Sequence, residues 1–291
     1  MRGKILIVGL VLSLSGLSAR AQSYAPSFPN DVYCTGIITT DSVPGQTFVV
    51  SGEESETRLT YVVGDMIYLN KGSDEGARVG EEFSLIRPEQ DFLNQEWTKW
   101  QFDILKRMGT MWVDQGRAKI VEVQPKTSIA VIEHMCDTVQ RGDVAVPFTA
   151  LPATSLKPLG QFDRFAPPNG KALAMVLTGQ NFRNALGVND VMYVNLGNAQ
   201  GVHVGEYFRI FRYTGTEHEV AYQTPRYAFD LQFGKSAAYG FGAVPSKYDW
   251  SNTPREVLGE GVVLRTGPNS STVLITFSTR EIYSGDYVEL E

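Results

Sequence analysis

The sequence predicts a mainly all-β protein made of two tandem small β-barrel domains from an internal duplication, with a short helical insertion in the first. Three observations lead there. "DMIYLNKGSDEGARVGEEFSLIR" (65–87) aligns without a gap to "DVMYVNLGNAQGVHVGEYFRIFR" (190–212). "GRAKIVEVQPKTSIAVIEHMCDTVQRGDVAVPF" (116–148) aligns in the same way to "GEGVVLRTGPNSSTVLITFSTREIYSGDYVELE" (259–291). Both copies alternate short β-branched and aromatic runs with Gly, Pro and Asp turn signals, the pattern of a small closed or half-closed sheet.

In each copy "MIYLN"/"VMYVN" and "FSLIR"/"FRIFR" read as strands on either side of a Gly-rich connection. The glycines Gly72, Gly76 and Gly80 recur as Gly197, Gly201 and Gly205, as do Asp65/Asp190, Tyr68/Tyr193, Asn70/Asn195, Glu81/Glu206, Phe83/Phe208 and Arg87/Arg212. Asp74, Glu75 and Arg78 become Ala199, Gln200 and His203. What repeats is thus the turn, and glycine supplies the positive φ that a tight strand connection requires. An EF-hand lacks its D-x-[DN]-x-[DN]-G order here, and no helix follows the glycines to hold a phosphate. The next segments read as hairpins turning at Pro125 and Pro268. Gly142-Asp143 and Gly285-Asp286 then form a turn that feeds a last strand.

Two insertions differ between the copies. In 88–115, Leu93, Trp97, Trp100, Ile104 and Met108 recur at near-helical spacing and Gly109 can end the helix, which is expected to cover the open edge of the barrel. In 213–258 aromatic residues stand among glycines and serines without periodicity. Tyr222, Tyr227, Tyr239, Phe241, Tyr248 and Trp250 form a candidate surface for glycan, peptide or protein; the alternative is that they pack on their own barrel. The Pro-rich segment 149–169 reads as a stiff linker between unit 22–148 and unit 170–291.

The first 21 residues carry Arg2 and Lys4, an apolar run from Ile5 to Leu17, and Ala19 and Ala21 as an A-x-A cleavage pattern, so they are expected to be a signal peptide. Cleavage near Ala21 places the chain in the periplasm or outside the cell, with no transmembrane segment in the mature part. Loss of Arg2, Lys4 and Arg20 takes the formal charge from −6 to −9, which argues against nucleic-acid partners. The two cysteines, Cys34 and Cys136, are then expected to form one structural disulfide. The alternatives, a redox pair or a metal site, have neither a C-x-x-C spacing nor paired histidines behind them.

No P-loop, H-E-x-x-H or G-x-S-x-G pattern occurs, and His134, His203 and His218 are scattered. No catalytic residue, metal ligand or cofactor is assigned. A glycosidase-like enzyme would require two carboxylates across a cleft between the barrels.

The Gly-rich "YLNKGSDEGARVGEEFSLIR" and "YVNLGNAQGVHVGEYFRIFR", each followed by a Gly-Asp strand, resemble the C-terminal β-barrel domain of flagellar assembly protein T. Similar units occur in exported bacterial envelope proteins, some of them LysM-containing. The resemblance covers 65–148 and 190–291 and implies a non-catalytic, envelope-associated β module. The expected function is a structural or protein-interaction module of the bacterial cell envelope, with an envelope protein or peptidoglycan as partner. The alternative is a carbohydrate- or peptidoglycan-binding module that uses the aromatic insertion.

Overall fold

The computed structural model describes residues 32–90, 96–98, 100–152, 154, 156–158, 162–213 and 254–291. The predicted signal segment and the aromatic candidates Tyr222, Tyr227, Tyr239, Phe241, Tyr248 and Trp250 lie outside them. The first unit contains β1 (Ile37–Thr39), β2 (Val49–Gly52), β3 (Thr60–Tyr61), β4 (Met66–Leu69), β5 (Glu82–Pro88), helix α1 (Gln101–Met108), β6 (Thr110–Val123), β7 (Ser128–Met135), β8 (Val139–Gln140) and β9 (Val144–Pro147). The second contains β10 (Leu173–Gly179), β11 (Ala185–Leu186), β12 (Val191–Val194), β13 (Tyr207–Arg212), β14 (Glu256–Thr266), β15 (Ser271–Ser278), β16 (Ile282–Tyr283) and β17 (Tyr287–Leu290). No helix among the described residues is long and apolar enough to cross a membrane.

The second unit is a closed barrel in the order β10-β12-β15-β14-β13-β17, sealed by the antiparallel pairing of Leu173–Met175 with Tyr287–Glu289. The first unit has the same order, β2-β4-β7-β6-β5-β9, with β1 added beside β6. Its end strands meet at the bridge Phe48–Val144, where Val49 N–H donates to Asp143 O (2.9 Å) and Ala145 N–H to Thr47 O (2.9 Å). Every pairing is antiparallel; a tight hairpin turn joins β6 to β7 and β14 to β15, and the Gly-Asp turns deliver the closing strands. Each unit has its own apolar interior, with Ile67, Phe83, Ile120 and Ile132 in the first and Met192, Phe208, Val263 and Ile275 in the second.

The repeated polar residues hold the repeated turns. Gly72 N–H donates to Glu75 Oε2 (2.9 Å) and Gly197 N–H to Gln200 Oε1 (2.8 Å), so the acid in the first loop and the amide in the second do one job. Gly76 and Gly201 close these turns at φ 79° and 87°. Arg87 reaches Asp143 through Nε (2.6 Å) and Nη2 (2.9 Å), and Arg212 reaches Asp286 in the same two-pronged way (both 2.6 Å). Each aspartate also caps its own turn, accepting from Gln140 N–H or Tyr283 N–H (both 2.8 Å). Planar guanidinium–carboxylate pairs of this kind fix direction as well as distance. Here they join the end of one strand to the turn before the closing strand.

Two expectations are refined. The strand before the long hairpin begins at Thr110 and its counterpart at Glu256, so both insertions are shorter than their unaligned lengths. Helix α1 is present only over Gln101–Met108: Trp97 precedes it, Trp100 stands at its start at φ 69°, and Leu93 lies outside the described residues. Gly109 ends it at φ 102°, and it does not lie on an open barrel edge. Its Ile104, Leu105 and Met108 pack into a third apolar cluster with Ile38, Met111 and Val113 of the first unit and Leu177, Val191 and Tyr193 of the second. A helix whose apolar stripe meets a sheet's outer face buries that face. β4 is accordingly exposed at Met66 and half-buried at Tyr68, whereas its counterpart β12 is buried along its whole length.

Removing one member of a buried ion pair leaves the other without a partner, at a cost of about 3–5 kcal/mol. Asp286→Ala should lose stability on that scale in urea unfolding. Asp143→Ala should lose less, because the Arg87 side chain is 29% exposed against 12% for Arg212.

Candidate functional site

Between the units runs a strap, residues 34–39, that belongs in sequence to the first unit and hydrogen-bonds across to the second. Cys34 O accepts from Gln180 Nε2 (2.7 Å), Thr35 O from the Tyr193 hydroxyl (2.8 Å), Gly36 O from Thr272 Oγ1 (3.0 Å), and Ile38 O from Ser270 Oγ. On the other side, Gly36 N–H donates to Asp114 Oδ2 (2.9 Å). Thr35, Gly36, Ile38 and Thr39 are buried, and a buried carbonyl without a donor costs as much as a lost hydrogen bond. Gly36 takes φ +64°, and a Cβ built there would stand 2.7 Å from Trp112 O and 2.8 Å from the Tyr193 hydroxyl oxygen. The disulfide Cys34–Cys136 (Cα–Cα 5.3 Å) ties the start of the strap to the end of β7.

Asp114 and Arg265 join the units electrostatically. Arg265 Nη1 donates to Asp114 Oδ2 at 2.8 Å. Burial raises the Asp114 carboxyl above the ordinary aspartate value, while the Arg265 charge and the Gly36 N–H pull it back. Burial likewise raises the Tyr193 phenol, helped by the negative charges of Asp114 and Glu89. Tyr193 therefore stays a neutral hydrogen-bond donor.

Beside the strap opens a cleft of about 530 Å³. Tyr33, Ile37, Ile86, Trp112, Val146 and Pro147 supply its apolar and aromatic wall, exposed Asp41 and Ser42 line it as well, and Asp114 and Arg265 reach it. In the second unit the positions aligned with Trp112 and Val146 are Arg255 and Glu289. These pair with each other (2.8 Å and 2.5 Å), and Arg255 holds the linker through Ala166 O (3.0 Å) and Pro167 O (2.7 Å). At the corresponding place the second unit is partly filled by its own linker, which leaves a smaller hollow of about 290 Å³ between Lys157, Phe162 and Ala166 on one side and Arg209 and Val257 on the other. The two carboxylates lining the cleft are unlike: Asp41 is exposed, and Asp114 is buried and tied to Arg265 and Gly36.

The predicted site residues separate into groups. Gly72, Gly76, Gly80, Gly197, Gly201 and Gly205 sit in the two turns, Gly142 and Gly285 have positive φ, and Asp143 and Asp286 are the turn ends of the ion pairs. None of them lines the cleft. Cys34 and Cys136 are joined, with His134 Nε2 3.5 Å from Cys34 Sγ. Among the described residues these three are the group close enough together to suggest a metal, and bonding between the sulfurs occupies them. The short spacing His134-Met135-Cys136, which sets both side chains on one face of a strand, is the signal for His134. Asp114 and Arg265 also escaped sequence reasoning. They align with Val257 and Glu122, so a charge unmatched between copies marks the seam.

Gly36→Ala should destabilise by at least about 1–2 kcal/mol from the left-handed conformation alone, with the close contacts adding to it. Gly45→Ala, where a Cβ meets nothing within 4 Å, should change stability by less than about 0.5 kcal/mol. Equal thermal unfolding midpoints for the two variants would refute a tightly fitted strap. No family model matches the chain, and no curated protein matches it in sequence.

Proposed function

We propose that this protein is a non-catalytic structural or protein-interaction module of the bacterial cell envelope, periplasmic or secreted after cleavage near Ala21. One observation carries the reading: the polar residues that repeat between the copies are spent on the fold. Arg87 with Asp143, Arg212 with Asp286, Asn70 with Phe48 N–H, and Asn195 with Met175 N–H are closed within their own units. What stays open includes one apolar and aromatic wall, that of Tyr33, Trp112, Ile86 and Pro147 in the cleft. Such a lining suits an apolar or aromatic side chain of a protein partner. The likeness of the repeated unit to the C-terminal domain of flagellar assembly protein T supports the envelope assignment.

A second reading, a carbohydrate- or peptidoglycan-binding module, has its own observation. Tyr33 and Trp112 stand in one cleft with Asp41 and Ser42, and ring faces beside hydroxyl and carboxylate groups suit a sugar.

Co-sedimentation with purified sacculi and retention of envelope proteins on immobilised mature protein separate the two. The interaction module should leave sacculi unbound and retain a discrete envelope protein, which Tyr33→Ala plus Trp112→Ala releases. Sedimentation with sacculi that this double variant abolishes would establish the glycan reading at the cleft. Loss only in Tyr239→Ala plus Trp250→Ala would move it to the aromatic insertion. Turnover of glycan strands by the purified protein would refute both.

A further inference from the structure

The contact between the two units joins two copies of one fold by unlike surfaces. The first unit gives a strap, a helix and the start of β6, and the second receives them on the outer face of β10, β12 and β15. Among the described residues, a contact of this kind leaves one receiving face and one giving edge unused.

The unused receiving face is on the first unit. Val50 and Leu177 occupy the same irregular position of β2 and β10, where both pairings skip a residue. Leu177 is 1% exposed beneath the strap and helix, and Val50 is 42% exposed. Val191 is 8% exposed, and its counterpart Met66 is 40% exposed. Leu264 is 2% exposed and its counterpart Val121 is 43% exposed. Ile129 and Val131 stand half-buried on the same outer face, where the second unit has Thr272 and Leu274. Tyr68, the counterpart of the tyrosine that donates to Thr35 O, makes no side-chain hydrogen bond among the described residues.

The unused giving edge is on the second unit. Residues 164–167 run along the start of β14, with Val257 N–H donating to Arg164 O (2.8 Å) and Arg255 holding Ala166 O and Pro167 O, as β1 runs along the start of β6. Phe165 is 57% exposed on this edge. The charges are reversed relative to the seam within the chain. There the giver carries Asp114 and the receiver Arg265; on the unused surfaces the receiver carries exposed Glu122, and the giver carries Arg164 and Arg280 around one glutamate, Glu256.

We propose that copies of this chain associate head to tail, the outer face of β2, β4, β7 and β6 of one copy receiving the 164–167 edge of the next. This deepens the interaction-module reading, on which it rests, by naming a second copy as partner. The contact continues the one inside the chain. It has no two-fold symmetry, so it builds a closed ring or an open filament rather than stopping at a dimer. The reversed charges disfavour slippage into the alternative pairing, since each acidic surface would then meet its like.

Sedimentation velocity over a concentration series tests this with the full mature chain. The wild type should form species larger than a dimer. Val50→Glu plus Met66→Glu, which spoils the receiving face, should sediment as a monomer, and so should Phe165→Glu, which spoils the giving edge. Mixing these two variants should give a one-to-one dimer and nothing larger, because the mixture keeps one intact face and one intact edge. All three positions are exposed, and unchanged circular dichroism melts establish folding; Val121→Glu is a second receiving-face variant. A wild type that stays monomeric up to millimolar concentration would overturn the proposal and leave the interaction module to the retention experiment. Assembly lost in the receiving-face variant but untouched by Phe165→Glu would also overturn it, since that pattern belongs to a symmetric face-to-face dimer.

Discussion

A buried backbone segment must find a partner for every N–H and C=O it takes out of water, and the strap 34–39 meets that demand from both sides. Its carbonyls at Cys34, Thr35, Gly36 and Ile38 are taken by side chains of the second unit, and its residues 37–39 pair with β6 of the first. A strap satisfied from one side only would leave several buried carbonyls unmatched, at about 1–3 kcal/mol each. The arrangement of the two units therefore follows from the strap. Ser270, Thr272, Tyr193 and Gln180 can reach the four acceptors at 34, 35, 36 and 38 only when the second barrel sits in one orientation. The Asp114–Arg265 pair and the packing of α1 agree with that orientation.

Duplication gives each residue an internal control. Where both copies keep a residue and a contact, as with Arg87–Asp143 and Arg212–Asp286, the unit itself requires it. Where the residue is kept and the contact changes, the surroundings have changed. Tyr68 and Tyr193 are the plainest case, one half-buried on an outer face and the other a wholly buried donor to the strap. Where the residue itself changes, the copy has taken a separate role. Trp112 borders a cleft, while Arg255 at the aligned position clamps the linker to the second barrel.

Much of the fold was legible because it repeats. The strands around the Gly-rich turns, the hairpins at Pro125 and Pro268, and helix α1 with its stop at Gly109 all leave local signatures of spacing or turn chemistry. The disulfide was legible as a pair of cysteines. What local patterns could not carry is the surface each element meets. The apolar stripe of α1 announces a buried face without saying which sheet covers it, and the strap's "CTGIIT" has no period at all. The seam is built from contacts such as Gly36 to Thr272 and Ile38 to Ser270, between residues more than two hundred positions apart. The cleft follows from the seam, so it shared that obscurity. A trace did exist in the charge at 114, which its aligned position lacks, and in the one at 265, which its aligned position reverses.

That separation along the chain also orders events in time. The strap is made more than two hundred residues before Ser270 and Thr272, so it waits for the second unit before its carbonyls are covered. Contacts this distant in sequence close late, because the entropy of a long loop must be lost before they form. The first unit can gather its interior from residues before 148, and the bond between Cys34 and Cys136 can hold the strap against it in the interval. The disulfide thereby stores an unfinished surface in position, and the second barrel assembles against a template that is already in place.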